Sequence, residues 1–183
     1  LGSNLHCVVY PINKNKQFNF VSILRKNLND RELFNYKLFE SSDFISSTLT
    51  EISKQLDSHI VKNLKDIKCF PVFVSSEIYR PINKKIFFIG DAFFTFPPTF
   101  AQGASQSIEG AYELFKSIVN NNQAYFFKNR VKKTKMINIR SKFNQFIFHL
   151  SSPISVFFRN IFLKKLVKNK KFLESYLGKI YRS

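Results

Sequence analysis

Apolar and polar positions change their period several times along the chain. Residues 5–10 (LHCVVY) form a short β-rich run, and residues 17–24 (QFNFVSIL) partly alternate between polar and apolar. The segment between them, Pro11-Ile12-Asn13-Lys14-Asn15-Lys16, is dense in turn formers, so the pair reads as a β-hairpin. A polar loop at 27–30 follows. From 33 to about 64 the period lengthens to that of a helix, with Leu49, Ile52, Leu56 and Ile60 recurring and Ser41, Ser42 and Asp43 as punctuation. Residues 70–78 (FPVFVSSEI) are strand-like after Pro71. Residues 86–89 (IFFI) are continuously apolar and stop at Gly90-Asp91, a pattern that suits a strand buried on both faces. After a loop rich in Phe and Pro, Ile108, Ala111, Phe115, Ile118 and Val119 fall on one face of a helix that begins at Ala104 and ends at 120–122. Residues 124–183 read as two or three basic helices, broken at Ser151-Ser152-Pro153, where proline can open the next helix. No internal repeat or low-complexity linker interrupts this order.

Length and composition narrow the class. A chain of 183 residues can bury a real core, and 44% hydrophobic residues exclude a disordered chain. Its 23 Phe and 7 Tyr must be buried or laid against an apolar partner. The net charge of +17 has two readings. One is an anionic partner, nucleic acid or membrane. The other is compositional drift, since lysine far outnumbers arginine and Asn, Ile and Phe are also abundant. Readers of nucleic-acid sequence lean on arginine, so no nucleic-acid partner is expected. Weak membrane-surface contact through the basic C-terminal helices stays open. Cys7 and Cys69 lie far apart without redox or metal spacing, so neither a disulfide framework nor a metal site is expected. The default location is a reducing cytoplasm, peripheral to a membrane if the basic helices touch one. No uncharged apolar stretch of about 18 residues is present to cross a bilayer. The chain starts at Leu1 and enters strand-like sequence at once, which suggests a piece of a longer protein.

Candidate chemistry concentrates in residues 87–115 (FFIGDAFFTFPPTFAQGASQSIEGAYELF). The segment reads as a buried strand, Gly-Asp at its carboxyl end, a loop stiffened by Pro97 and Pro98, and a glycine opening a helix. Ligands of open α/β sheets sit at the carboxyl ends of strands. Asp91 there can accept hydrogen bonds from sugar or ribityl hydroxyls, and Gly90 lets the backbone approach. Gly103 and Ala104 offer unpaired N–H groups and the positive end of a helix dipole. Such a terminus favours negative charge by about 0.3–2 kcal/mol, which suits the electron-rich edge of a reduced flavin.

The same segment resembles the second FAD-binding motif of the aromatic-ring flavoprotein monooxygenases, the group of salicylate and p-hydroxybenzoate hydroxylases. That pattern runs Gly-Asp-Ala-Ala-His, a short loop with Pro, Gln-Gly, then Glu-Asp-Ala on a helix. Here it is met by Gly90-Asp91-Ala92, Pro98, Ala101-Gln102-Gly103-Ala104 and Ile108-Glu109-Gly110-Ala111. The flanks His6-Cys7-Val8-Val9-Tyr10-Pro11 and Asn19-Phe20-Val21 are similar to the substrate-domain hairpin of that group. Phe148-His149-Leu150-Ser151-Ser152-Pro153 and Arg159-Asn160 look like its C-terminal helices. The resemblance implies FAD as cofactor and NAD(P)H as co-substrate, with O2 and a small aromatic as the other reactants. It implies that Asp91 binds the ribityl or pyrophosphate region. Gly103 and Ala104 would meet the isoalloxazine, and Pro98 would sit near its reacting edge. Gly90 and Gln102 belong to the same cofactor-binding set. Phe94 replaces the usual His, and Gly110 the usual Asp. No GxGxxG follows a strand, so the N-terminal dinucleotide fold is expected outside this sequence.

The expected fold is α/β, reduced to α+β in this piece. Residues 1–80 would form part of a substrate-binding domain, 81–122 a C-terminal FAD-binding segment, and 123–183 a basic helical region. His6, Tyr10, Phe94 and Phe96 are candidates for a substrate pocket. His6 reads equally as a packed hairpin residue, and Phe93, Phe94, Phe96 and Phe100 equally as ordinary core. His149 reads as structural and His59 as surface. No Ser, His and Asp arrangement signals hydrolysis.

Overall fold

A computed structural model describes residues 1–81, 83 and 85–181. The architecture is α+β, 57% helical and 9% strand. Among the described residues the only sheet is the antiparallel hairpin of β1 (Leu5–Ile12) and β2 (Gln17–Leu24), in register from Leu5 opposite Leu24 to Ile12 opposite Gln17. The hairpin is longer than its sequence pattern indicates, because Pro11 and Ile12 lie inside β1. In a two-stranded sheet each strand has a free edge, and proline without its N–H is tolerated there. The tight turn uses left-handed backbone at Asn13 and Lys14 (φ 49° and 54°). It is closed by the Lys16 N–H donating to the Asn13 carbonyl at 3.1 Å and Asn13 Nδ2 donating to Gln17 Oε1 at 2.8 Å.

The helical pattern expected over 33–64 breaks into short pieces: α1 (Asp30–Leu33), α2 (Tyr36–Glu40), α3 (Ser42–Ser53) and α4 (Ser58–Lys62). The breaks fall where short polar side chains capture backbone N–H groups. Asn29 and Glu32 form a reciprocal capping box, Ser41 accepts from the Phe44 N–H at 3.3 Å, and Asp57 accepts from the His59 N–H at 2.8 Å.

Neither 70–78 nor 86–89 forms a strand. Ile89 is extended (φ −135°, ψ 163°), yet Ile86 and Ile89 are both exposed rather than buried on two faces. An extended segment becomes a strand only when a neighbour offers a matching row of N–H and C=O groups. Residue 75 instead finds one local clip, its N–H donating to the Thr95 carbonyl at 3.0 Å and its hydroxyl accepting from the Thr95 N–H at 2.9 Å.

The remainder is helical: α5 (Gly103–Val119), α6 (Gln123–Phe148), α7 (Pro153–Leu166) and α8 (Lys170–Tyr181). Pro153 opens α7, as its fixed φ and missing N–H favour. Residues 182–183 of the expected helical region lie outside the described residues. The chain divides into two bodies, residues 1–72 with 148–151, and residues 73–147 with 152–183. Helices α5 and α6 share the second body. In the first body Leu5, Phe39 and Ile52 are buried, and the hairpin base is tied to α3 by Asn4 and Lys26 on Glu51. The second body centres on Phe93, Phe94, Phe96, Ile137 and Ile180.

The apolar face expected to bury α5 points outward instead: Ile108, Phe115, Ile118 and Val119 are exposed, while Gln106, Gly110 and Ser117 are buried. A guanidinium decides this orientation. Arg130 of α6 is buried and needs acceptors. Gln106 supplies a carbonyl at 3.2 Å and a side-chain oxygen at 3.0 Å, and Glu113 lies at 3.3 Å.

Candidate functional site

Gly90 is required twice over. Its φ is +58°, and a Cβ there would stand 2.7 Å from Ser107 Oγ on α5. The turn at 90–92 is closed by the N–H groups of Phe93 and Phe94, both donating to the Gly90 carbonyl at 3.0 Å. This holds the segment against the second turn of α5 and turns Asp91 out to solvent. The Asp91 carboxylate makes no hydrogen bond or ion pair among the described residues.

The loop that follows is fastened from inside. Phe93, Phe94 and Phe96 enter the core, with the Phe94 and Phe96 rings 5.1 Å apart. Thr99 is buried and donates to the Ser141 carbonyl at 2.6 Å. Pro97 is buried and Pro98 exposed, opening a short turn that ends at Ala101 in left-handed conformation (φ 49°). Gln102 is buried, and among the described residues no side chain caps the helix that starts after it. The first N–H groups of α5 at Gly103 and Ala104 are therefore bare. Nothing lies within 4 Å of where a Gly103 Cβ would point. No atom of the chain itself demands glycine at that position.

Behind this helix end sits a buried polar network. Gln106 Nε2 donates to Gln102 Oε1 at 3.2 Å, Arg130 bonds to Gln106, and Glu109 pairs with both Arg130 (3.6 Å) and Lys133. Glu109 and Glu113, four apart on one side of α5, face Arg130 and Lys133, three apart on α6. That spacing was the available sequence signal for this network, which pattern reading alone did not isolate. A small cavity of about 10 Å³, room for one water, is lined by Gly90, Phe94, Phe96, Gly103, Gln106 and Arg130.

The candidate site residues thus separate. Gly90, Asp91, Pro98, Gln102, Gly103 and Ala104 belong to one loop and helix start in the second body. Phe94 and Phe96 belong to the same loop and are buried in the core cluster of the second body. His6 and Tyr10 belong to the first body. Tyr10 is 44% exposed, its hydroxyl accepting from Asn19 Nδ2 at 2.6 Å. His6 is 2% exposed and packed: its Nδ1 lies 3.0 Å from His149 Nε2 and its ring 5.5 Å from that of Phe148. Burial, then the neighbouring His149, pushes the His6 pKa down to about 4. Burial, then Arg25, lowers that of His149. With both rings neutral, one can donate its N–H to the bare nitrogen of the other, and the tautomers set which one donates. His59 lies at the surface of α4.

Among the described residues no three His, Cys, Asp or Glu side chains cluster to hold a metal ion, and no helix is long and apolar enough to cross a membrane. No family model, curated protein or solved structure matches this chain.

Proposed function

We propose that the chain is the carboxyl-terminal part of an FAD-dependent monooxygenase that hydroxylates an aromatic or related small substrate with NAD(P)H and O2. The observation that carries this reading is the pairing of a glycine-dependent turn, bearing a free carboxylate, with an uncapped helix start. Gly90 has left-handed backbone and no room for a Cβ, Asp91 is left facing solvent, and among the described residues no side chain caps the first N–H groups of α5, at Gly103 and Ala104. Open space in front of Gly103 fits a flat ligand lying close to the backbone, which explains a glycine that the chain's own packing does not need.

In this reading Asp91 accepts hydrogen bonds from the ribityl hydroxyls of FAD, and Gly103 and Ala104 donate to its electron-rich ring edge. The chemistry that FAD would supply when bound is redox, hydride acceptance from NAD(P)H and activation of O2. The residues of this chain bind and orient: Gly90 sets the close approach, Pro98 shapes the exposed corner, and the buried Phe rings keep the loop from moving. The dinucleotide half of the cofactor site lies in sequence outside these residues. The outward apolar face of α5, Ile108, Phe115, Ile118 and Val119, suits packing against that half.

Phe94 supports a second reading. It stands where the family has His, and its ring is buried in the core, so it gives the cofactor no hydrogen bond. A flavoprotein of the same fold that oxidises NAD(P)H without hydroxylating an aromatic fits that departure. Purification of the full-length protein tests both. Flavin absorbance with an oxygenated product from a phenol supports the hydroxylase. Flavin absorbance with NAD(P)H oxidation and no such product supports the second reading. A colourless protein that refuses added FAD rules out both.

A further inference from the structure

Helix α7 is apolar on both sides and covered on one. Val156, Arg159, Leu163 and Leu166 face inward, buried or half-buried. Ile154, Phe157, Phe158, Ile161 and Phe162 face outward, with Phe157 and Phe158 62% and 64% exposed. Spacing of i, i+3, i+4, i+7 and i+8 gathers these five into one stripe. Lys164 and Lys165 close the stripe at the carboxyl end of the helix, and Lys168, Lys170 and Lys171 follow at once. An apolar stripe of this size calls for an apolar cover.

The distribution of charge indicates which cover. Residues 114–173 hold fourteen Lys and Arg and no Asp or Glu. The other 123 residues hold 15 basic side chains against 12 acidic ones. Compositional drift toward lysine would load the chain throughout; it would not strip acids from one continuous stretch. Arg130 and Lys133 within that stretch are answered by Glu109 and Glu113, but the lysines of α7 and of the α7–α8 turn form no ion pair among the described residues. A second copy of the chain would bring like charge to the stripe. A nucleic acid would answer the lysines and could stack on exposed phenylalanines, but it would not bury Ile154 and Ile161 in the same stripe. An anionic bilayer surface does both.

We infer that α7 is a membrane-docking helix that lies flat in the interface of an anionic bilayer. Its five outward apolar side chains enter the acyl boundary, and Lys164 and Lys165 reach the phosphate layer. The helix lies in the plane because it is too short and too lysine-ended to cross. This docking is independent of the flavin reading.

The chain contains no tryptophan, so Phe158→Trp installs a single fluorescent reporter in the stripe. The full-length protein carrying it, after replacement of any tryptophan contributed from outside these residues, is mixed with vesicles of phosphatidylcholine containing about one-quarter phosphatidylserine, or with phosphatidylcholine alone. The expected result is a blue shift, and quenching by a bilayer-buried quencher, with the anionic vesicles only. Lys164→Gln with Lys165→Gln should weaken binding by roughly tenfold or more, and about 0.5 M salt should do the same. Phe157→Ser with Phe158→Ser should abolish co-sedimentation with the vesicles while circular dichroism is unchanged, since both positions are exposed. Absence of a spectral shift with anionic vesicles overturns the inference. So do equal binding to neutral vesicles, a shift that depends on protein concentration without lipid, and a shift produced by an oligonucleotide but not by vesicles.

Discussion

A Cβ placed on residue 90 would meet Ser107 Oγ at 2.7 Å, on backbone that L side chains rarely adopt. Gly90→Ala is therefore expected to lower stability by about 1–3 kcal/mol, read as a drop in the urea midpoint. Ser107→Ala in the same background should restore only the part due to the clash. Gly110 should behave in the opposite way. Its added Cβ would sit 3.6–3.8 Å from the Arg130 guanidinium, an ordinary contact, in the interior of a helix. Gly110→Ala is expected to raise stability by about 0.5–1 kcal/mol. The histidine pair sets a pH dependence. Unfolded histidine binds a proton near its ordinary pKa of 6.5, whereas folded His6 does so only at about 4. Between those values the unfolded state holds more protons, so stability falls as pH drops from 6.5 toward 4 and is fully present above 6.5. The loss should be about 1–3 kcal/mol, and His6→Gln should flatten it in thermal melts across that range. The packed pair itself was hidden in the sequence: His6 and His149 are 143 residues apart, and nothing local announces their contact.

Elements were legible where the signal is local and obscure where it depends on a neighbour. The hairpin follows from β-branched runs around Asn13 and Lys14, and its strands overran the expected loop because an edge strand accepts Pro11. The punctuation read at Ser41, Ser42 and Asp43 does fall at a break, where Ser41 caps α3, whereas the break at Asp57, which caps α4, lay unmarked within the helical pattern over 33–64. Residues 86–89 are extended as expected at Ile89, but strand status needs a partner row that sequence alone cannot supply. For α5 the periodicity revealed a face but not its direction. Arg130 turned the polar side inward, and its acceptors now depend on it. Arg130→Ala should cost about 3 kcal/mol or more by leaving Gln106 and Glu113 without their cation. Arg130→Lys should recover only part of this loss in denaturant titrations, because an ammonium cannot reach Gln106 and Glu113 together in the same fork.

The chain exposes 13640 Å², while compact bodies of its mass expose roughly 11,000 Å² even when counted as two. Exposed aromatic and aliphatic side chains are spread along the chain, those of α5 and α7 among them, and two different covers are proposed for these two faces. Of the candidate site, the Gly90-Asp91 turn and the bare start of α5 were readable from residue type and order, because each rests on a backbone requirement that glycine, proline and helix ends express locally. The fate of Phe94 and Phe96 was not readable, because a phenylalanine lining a pocket and one filling a core look alike in sequence; the 5.1 Å ring pair beside Ile137 decides for core. The carboxylate of Asp91 remains the group on which the flavin assignment stands. The most direct measurement is FAD affinity of the full-length protein against its Asp91→Ala variant, with circular dichroism confirming the same fold. A loss of about tenfold to a hundredfold is expected, the worth of charge-assisted hydrogen bonds to a hydroxyl-bearing tail. FAD held equally well by both proteins would contradict the assignment.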